Sequence, residues 1–242
     1  MIEARNLSKA FGQRHAVDSV SFEVARGTVV GFLGPNGAGK STTMRLLTGY
    51  LPPDGGSAHI AGYDIGTETA RARACLGYLP EAAAGFPHLT VRELLVYCAE
   101  CRGLWGTARD GAIDRVSEEI ELGPALDQKM RTLSKGWRQR AWFAQAILHD
   151  PPVLIFDEPT DGLDPNQKAH VRALIRSIAP RKAIILSTHI LEEAEEICDR
   201  VIIIAKGRIV ADDAREALSD GKGRLWPAFE RLTASDAAVP AG

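Results

Sequence analysis

The segment GPNGAGKS at positions 34–41 restricts the possible folds of this chain sharply, because it has the spacing of a phosphate-binding P-loop. An apolar run, Thr28–Leu33, precedes it and a helical pattern, Thr42–Thr48, follows it, as a strand–loop–helix unit requires. Its glycines let the backbone curl so that amide N–H groups point inward, and the helix adds the positive end of its dipole. Lys40 brings a positive charge to the phosphates, and Ser41 offers a hydroxyl oxygen to Mg²⁺.

These flanking patterns favour a triphosphate-binding loop over a glycine-rich turn that merely contains lysine and serine. Lys40 is also a candidate catalytic residue, because its charge lies against the phosphate that is transferred. The predicted ATP contacts in this segment are Gly34, Pro35, Asn36, Gly37, Ala38, Gly39, Lys40, Ser41 and Thr42.

Short runs of branched apolar residues recur along the chain, and several are apolar on both faces, as in strands of a covered, mostly parallel sheet. Helical stretches lie between them. Thr90 with Glu93 forms a capping-box pattern, and Asp164 before Pro165 fits an N-cap and first helical position. This alternation predicts an α/β fold. The runs are Thr28–Leu33, Leu76–Leu79, Val153–Phe156, Ala183–Leu186 and Val201–Ala205.

From about Pro87 to Asp150 the strand pattern disappears, and three helical segments follow one another. Residues 103–106 and the pair Gly123 and Pro124 separate these segments. We interpret this stretch as an all-helical subdomain inserted into the α/β core. The expected organisation is a single domain over 1–242, with the core at 1–86 and 151–213, the helical subdomain at 87–150 and a tail at 214–242.

Composition and charge argue against several other classes. The 29 basic and 31 acidic residues are spread along the 242-residue chain, so a general electrostatic attraction to nucleic acid is not expected. Glu3, Arg5 and Lys9 interrupt any secretory apolar segment, and the aliphatic runs are too short to span a membrane. Four cysteines suit reduced thiols in the cytoplasm better than disulfides, and Cys98 and Cys101 lack the second ligand pair of a zinc site.

The segment VLIFDE at 153–158 is a strand pattern that ends in two adjacent acids. Sheets of α/β proteins bind ligands at the carboxyl ends of their strands, so both carboxylates are expected at that edge. Successive strand side chains point in opposite directions, which predicts different roles. We assign Asp157 to Mg²⁺ and Glu158 to the attacking water as general base. The alternative, two surface acids that start a helix before Pro159, fits Glu158 poorly downstream of a P-loop.

His189 follows the apolar run AIILST and is expected at the same edge of the sheet. A histidine there can hydrogen-bond both a γ-phosphate oxygen and the general base. From these residues alone, a polar surface residue is an equally good interpretation.

The chain resembles an ATP-binding subunit of ABC transporters, in register from Ile2 to about Asp213. YLPE and LSKG-x-RQR are typical of the subgroup that pairs with ABC-2-type permeases, among them gliding-motility, multidrug and polysaccharide exporters. Six elements occur in the family's order: an aromatic residue at Phe11, the P-loop, YLPE at Tyr78–Glu81, LSKGW at Leu133–Trp137, the strand ending at Glu158 with the D-loop TDGLD at Thr160–Asp164, and the switch histidine His189.

The resemblance implies a P-loop NTPase core of the RecA-like type, with a small antiparallel β part near the N-terminus and the inserted helical subdomain. It implies hydrolysis of ATP with Mg²⁺, with Phe11 as the adenine platform and Glu158 and His189 as catalytic residues. It also implies a head-to-tail dimer with a second ATP-binding subunit, in which the signature residues Ser134, Lys135 and Gly136 act on the partner's ATP. Asp164 ends the D-loop.

The remaining partner implied by the resemblance is a polytopic membrane permease, with no role for nucleic acid. The location implied is cytoplasmic, peripheral on the inner face of the cell membrane. The permease selects the cargo in this architecture, so the residues of the ATP-binding subunit carry no information on the transported substrate. Two other functions are alternatives: a soluble ABC-family ATPase that acts on ribosomes or nucleic acid, and a regulatory cassette that binds ATP with little turnover.

The signature segment departs from the family's common LSGGQ, because Lys135 replaces the first glycine and Trp137 replaces glutamine. Lys135 either reaches the partner's phosphates or ribose, or points into solvent. Trp137 shares a helix face with Ala141, Ala144 and Leu148, so packing explains it as well as nucleotide contact does.

Glu81 stands where most of the family has glutamine, and a carboxylate offers charge but no hydrogen-bond donor. Beside Asp157 and Glu158 it is expected to contribute to Mg²⁺ binding or to raise a neighbour's pKa. Together, Ser41, Asp157 and Glu81 are the predicted metal ligands. Glu81 and the following AAAGFPH are also the candidate permease-docking surface, with Phe86 either in a permease-facing groove or in the subdomain core.

Overall fold

The computed structural model describes residues 1–81 and 85–234. Within them the strands are β1 (Ile2–Phe11), β2 (Arg14–Val24), β3 (Thr28–Leu33), β4 (Gly55–Ile60), β5 (Tyr63–Asp64), β6 (Leu76–Leu79), β7 (Val153–Asp157), β8 (Ala183–Thr188), β9 (Arg200–Ala205) and β10 (Arg208–Ala214). The α-helices are α1 (Lys40–Leu47), α2 (Thr69–Ala74), α3 (Val91–Cys101), α4 (Gly106–Glu119), α5 (Lys135–Ile147), α6 (Pro165–Ile178), α7 (Leu191–Ile197), α8 (Arg215–Leu218) and α9 (Trp226–Thr233).

The larger sheet has six strands in the order β10-β9-β3-β8-β7-β6. Strands β9, β3, β8, β7 and β6 are parallel, and β10 pairs with β9 in the antiparallel direction. Every residue of β7 and β8 is buried, which explains why these runs are apolar on both faces. The five predicted strands are confirmed, and the carboxyl ends of β3, β7 and β8 meet at one edge.

A second sheet, with the order β2-β1-β4-β5, is antiparallel throughout. Its apolar side chains pack in one cluster with Phe32 of β3 and with Met44 and Leu47 of α1. This sheet is the antiparallel part that the family resemblance implied. The pairing of β1 with β2 is interrupted by register shifts, so the burial pattern of β1 does not alternate cleanly. For that reason the residue pattern alone did not predict these strands.

The predicted helical stretch contains α3, α4 and α5, with 3-10 turns at Gly123–Ala125 and Met130–Thr132. The capping box that starts α3 is confirmed: Thr90 Oγ1 accepts from the Glu93 amide at 3.1 Å, and Glu93 Oε2 accepts from the Thr90 amide at 2.8 Å. Phe143 of α5 stacks on Phe156 of β7 with ring centroids 4.6 Å apart. Helix α5 therefore anchors this stretch to the sheet, and the boundaries at 87 and 150 stay a prediction.

Helix α6 also starts as predicted. Asp164 Oδ1 accepts from the Gln167 amide at 2.9 Å, and Pro165 occupies the first turn. In the tail, α9 covers almost the range where the sequence predicted a helix, Leu225–Leu232. Among the helices of the described residues, none is both long and apolar enough to cross a membrane.

Candidate functional site

The loop between β3 and α1 packs closely against neighbouring backbone. Gly39 has a φ of +112°, and a Cβ atom there would lie 2.3 Å from the carbonyl oxygen of Ala16. At Gly34 a Cβ atom would lie 2.4 Å from the carbonyl oxygen of Ile204. Only glycine fits at both positions. The loop leads directly into α1, so the positive end of that helix lies at the loop.

Lys40 is the first residue of α1 and is 7% exposed. Its Nζ donates to the carbonyl oxygen of Gly34 at 2.7 Å and to that of Pro35 at 3.4 Å, so the ammonium is held against the loop. Burial lowers the pKa of Lys40, and the nearby carboxylates of Glu158 and Asp157 oppose that shift. Because an ammonium has three N–H donors, one donor is left for an anion at the loop.

Asp157 ends β7 and is 1% exposed, and the Ser187 hydroxyl of β8 donates to its Oδ1 at 2.7 Å. Burial raises the pKa of Asp157, and hydrogen bonds from Ser187 and Ser41 oppose that shift. The Ser41 hydroxyl donates to Glu81 Oε2 at 3.3 Å. The structure therefore brings the three predicted metal ligands Ser41, Glu81 and Asp157 together.

These three side chains fit Mg²⁺ by their chemistry, because a hydroxyl and two carboxylates are hard oxygen donors. Across residues 1–81 and 85–234, no group of three or more histidine, cysteine or acidic side chains is arranged to hold a metal ion. Mg²⁺ in nucleotide sites is commonly bound by one or two carboxylates and completed by substrate phosphates. The donor set suits that arrangement and does not form an all-protein metal cage.

Glu158 lies just beyond β7 and has a left-handed backbone, with φ at +51°. Its amide donates to the carbonyl oxygen of Ser187 at 2.9 Å, which fixes the turn. The two acids do have different partners, but the expected reason was wrong: the turn at Glu158, not strand alternation, separates it from Asp157. A non-glycine residue in this conformation is uncommon, and such residues cluster at functional sites.

His189 follows β8, and its Nδ1 lies 2.9 Å from Glu158 Oε2. The prediction that this histidine reaches the same edge as the acids is confirmed. Burial raises the pKa of Glu158, while the contact with His189 opposes that shift. A carboxylate with a raised pKa is a better proton acceptor, and the histidine fixes its orientation.

A cleft of about 490 Å³ opens over the loop. Phe11, which is 53% exposed, lies on it, as predicted for a platform under a nucleotide base. The cleft thus joins an aromatic surface to an anion-binding loop. Its lining comprises Phe11, Arg14, Ala16, Asn36, Gly37, Gly39, Lys40, Ser41, Thr42, Glu81 and Glu158.

Two lining or supporting residues were not predicted from the sequence. Arg14 lines the cleft and donates to the Gly37 carbonyl oxygen at 2.9 Å, although a basic residue near Phe11 was visible in the sequence. Gln139 of α5 is buried and donates to the Pro159 carbonyl oxygen at 3.1 Å and to that of Glu158 at 3.3 Å. Nothing in the local pattern marks Gln139, because its partners lie on a distant strand end.

The signature residues lie outside this cleft, among the residues that the structure describes. Ser134 is the N-cap of α5, and its Oγ accepts from the Trp137 amide at 3.4 Å. A Cβ atom on Gly136 would lie 2.5 Å from Gln167 Oε1, so the first turn of α5 packs against the first turn of α6. Asp164 serves as the N-cap of α6.

Lys135 contacts Asp161 of its own chain while its side chain stays 60% exposed, and a contact with the partner's phosphates or ribose stays a prediction. Its Nζ donates to Asp161 Oδ2 of the same chain at 2.7 Å, and its aliphatic chain crosses Gly162, where a Cβ atom would lie 2.3 Å from Lys135 Cδ. Trp137 packs at the edge of the core, with the Arg140 guanidinium 4.6 Å from its ring centroid. Packing therefore accounts for Trp137 within this chain.

The candidate docking segment is described in part, because residues 82–84 lie outside the described residues. Phe86 is 40% exposed, and its ring lies 5.2 Å from Tyr97 and 6.4 Å from Trp142. Phe86 thus contacts aromatic residues of α3 and α5 without being buried in the core, and its place in a permease-facing groove stays a prediction.

The site combines a glycine-constrained loop at a helix N-terminus, a buried lysine and a carboxylate in contact with a histidine. These features define a P-loop nucleotide hydrolase. A sequence profile described as ABC transporter matches residues 17–161. The chain belongs to the ABC transporter family, as an ATP-binding subunit that hydrolyses ATP.

Relatives and solved structures agree with this assignment. The linearmycin resistance ATP-binding protein LnrL of Bacillus subtilis is 38% identical over 213 residues, which cover 87% of this chain and 68% of the relative. Nod factor export ATP-binding protein I of Burkholderia lata is 37% identical over 222 residues, covering 91% and 73%. A solved structure of an ATP-binding subunit of an ABC transporter matches with a TM-score of 0.88 and 30% identity over 96% of this chain and 99% of that one. A ribosome or nucleic-acid function is not favoured.

Proposed function

We propose that this chain powers export, by coupling ATP hydrolysis at the cytoplasmic face of the membrane to a separate permease. The observation that carries the hydrolytic mechanism is the contact of 2.9 Å between Glu158 and His189 beside the loop that holds Lys40. The relatives named for Nod factor export and linearmycin resistance support the outward direction.

In this mechanism the loop amides and Lys40 bind the β- and γ-phosphates. Glu158 orients a water molecule and accepts its proton as the oxygen attacks the γ-phosphorus. The bond between that phosphorus and the bridging oxygen breaks, and ADP keeps the electron pair. His189 holds Glu158 in place and donates to the γ-phosphate.

Replacing Glu158 with glutamine tests the base. We expect kcat to fall by about 100-fold or more, because general-base catalysis contributes that much, while nucleotide affinity is kept. Steady-state ATPase rates and equilibrium nucleotide binding measure the two effects, with Glu216→Gln on the exposed surface of α8 as the matched control. Equal rates in the wild type and Glu158→Gln would support the regulatory cassette instead.

Ser41, Glu81 and Asp157 are the residues that would hold Mg²⁺, which supplies charge neutralisation at the phosphate oxygens when bound. Because glutamine at position 81 keeps an oxygen but loses the charge, Glu81→Gln should raise the Mg²⁺ concentration for half-maximal ATPase. An unchanged Mg²⁺ titration would show that Glu81 does not ligate the ion. Glu118→Gln, at an exposed position of α4 outside the cleft lining, is the control.

A head-to-tail dimer with a second ATP-binding subunit accounts for the position of the signature segment. Ser134, Lys135 and Gly136 lie at the N-terminus of α5 and away from the cleft of their own chain. A helix N-terminus is a ready site for an anion. In a dimer this end meets the γ-phosphate held by the other subunit, and ATP bridges the interface.

We propose that the permease docks on the predicted segment that starts at Glu81 and also on a groove of about 470 Å³. Tyr50, 71% exposed, stands at its edge, and Tyr78, three positions before Glu81, lies in it. A partner in this groove would therefore contact the strand that leads to the metal ligand. The lining is Thr48, Tyr50, Ala70, Arg73, Ala74, Leu76, Tyr78, Cys101, Arg102 and His149.

Membrane association tests this site. Tyr50→Glu should abolish binding of the subunit to membrane vesicles that contain its permease, because the charge would be buried on docking. The ATPase rate of the isolated subunit should stay unchanged. Trp105→Glu, an exposed aromatic outside the groove, is the control. Undiminished binding of the Tyr50 variant would exclude the groove.

A further inference from the structure

Glu193 of α7 is a buried carboxylate that lies between the two loops of the hydrolytic pair. It is 1% exposed. Its Oε1 accepts a hydrogen bond from the Thr160 hydroxyl, and its Oε2 accepts from the Thr188 hydroxyl at 3.0 Å. Thr160 follows Glu158 by two positions, and Thr188 directly precedes His189. One carboxylate thus connects the chain beyond β7 with the end of β8.

The surroundings of Glu193 extend this connection to a third segment. Lys168 of α6 places its Nζ 3.6 Å from Glu193 Oε1, which compensates the buried charge. The Thr188 hydroxyl also accepts from the Ile190 amide at 3.1 Å, so the backbone on both sides of His189 is held. A buried carboxylate is costly unless it is fully paired, and here the partners come from three separate elements.

We infer that Glu193 is a positioning residue for ATP hydrolysis. By holding Thr160 and Thr188 it fixes Glu158 relative to His189, and it ties that pair to the D-loop that Thr160 begins. Glu193 does not line the nucleotide cleft, so its effect acts through the two threonines. This inference rests on the proposed roles of Glu158 and His189.

The geometry predicts a loss of turnover without a loss of substrate binding. Glu193→Ala leaves both hydroxyls without their acceptor and should lower kcat by about 10- to 100-fold, the scale expected for a misplaced catalytic group. KM should stay within about twofold, because the loop and Lys40 are untouched. Glu193→Gln should recover to within about threefold of wild type, since its amide oxygen accepts from one threonine and its NH₂ donates to the other.

The threonines provide an independent arm. Thr160→Val and Thr188→Val keep the side-chain shape but remove the hydroxyl, so each should reproduce part of the kcat loss, while Thr160→Ser and Thr188→Ser should restore it. Glu192→Ala is the matched control, because Glu192 is the exposed neighbour of Glu193 on α7. All rates are measured as kcat and KM per folded molecule, well below the Tm of each variant.

A purely structural glutamate gives a different pattern. The positioning role is overturned if Glu193→Ala lowers Tm yet keeps kcat within about twofold of wild type. If Glu193→Ala does not fold, the same result in the two valine variants overturns it. Glu158→Gln measured alongside separates the role of the base from that of the residue that positions it. Full activity of Glu158→Gln would refute the role of Glu158 as base. If Glu158→Gln loses activity as expected while the Glu193 variants stay active, only the inference on Glu193 is refuted.

Discussion

Lys40 and the two acids Asp157 and Glu158 stabilise one another's charges at a largely buried site. Burial raises the pKa of Asp157 and of Glu158 and lowers that of Lys40, while each group lies near charges of opposite sign that restrain these shifts. Removing one member should therefore change the ionisation of the others. The dependence of the ATPase rate on pH measures this coupling.

The pH dependence of turnover tests the contact between His189 and Glu158. The contact lowers the pKa of Glu158 against the raising effect of burial, so its removal in His189→Ala lets that pKa rise. Activity requires ionised Glu158, and the acid limb of the kcat profile should consequently move to higher pH. His88→Ala, at an exposed position, should leave the limb in place. An unmoved limb in the His189 variant would contradict the coupling.

The ion pair between Lys135 and Asp161 leads to a prediction on dimerisation. Both side chains are substantially exposed, 60% and 47%, so the pair should add at most about 1 kcal/mol to stability. It nevertheless joins the start of α5 to the D-loop, the two segments that face the partner in the proposed dimer. We expect Lys135→Gly and Asp161→Ala each to weaken ATP-dependent dimerisation, and the double variant to be no weaker than the worse single one.

Light scattering measures the dimerisation of these single and double variants in a Glu158→Gln background, in which ATP is not hydrolysed. Lys129→Gly is the matched control, because Lys129 is exposed and lies before the signature segment. Fully additive losses would show that the two residues act separately. Unaltered dimer formation in all variants would remove Lys135 from the mechanism.

Among the elements, helix starts carry local signals that the fold keeps. The capping box of α3 satisfies two backbone amides at once, so Thr90→Ala should cost about 1 kcal/mol of unfolding free energy, and Thr90→Ser should cost little. Chemical denaturation of the three proteins measures this difference. Equal midpoints for alanine and wild type would show that α3 is held by packing alone.

Element prediction from the sequence succeeded where the signal is local. The strand runs ending near Leu33, Asp157 and Thr188 are apolar on both faces, and the caps at Thr90 and Asp164 need only nearby residues. The hairpin of β1 and β2 was missed by pattern alone, because its register shifts break the alternation. Its presence was expected only from the family resemblance.

The candidate site could also be predicted only where its residues follow local strand signals. Its loop, two acids and histidine follow strands, so their meeting at one sheet edge could be predicted from topology. The partner of Lys135, the contacts of Gln139 and the network of Glu193 could not, because each depends on chain segments that only folding brings together. The left-handed turn at Glu158 was likewise invisible in a strand pattern.

In the molecule as a whole, one sheet edge collects the parts that bind and cleave a nucleotide, while the signature segment faces elsewhere. Helix α5 connects the two regions, since it carries both the signature start and Gln139, which holds the backbone of Glu158. One helix therefore joins the proposed partner contact to the backbone of the proposed base. In the proposed mechanism, both nucleotide binding and dimer contact depend on the loop that binds the triphosphate.

Equilibrium titration of Lys40→Ala with a fluorescent ATP analogue tests the role of that loop most directly. Loss of the ammonium should weaken binding by about 10-fold or more, because charge-assisted bonds of this kind contribute roughly 1.5–3 kcal/mol. Lys222→Ala, an exposed lysine of the tail, should bind as the wild type does. If Lys40→Ala holds the nucleotide as tightly as the wild type, the assignment of this loop as the phosphate-binding site is wrong.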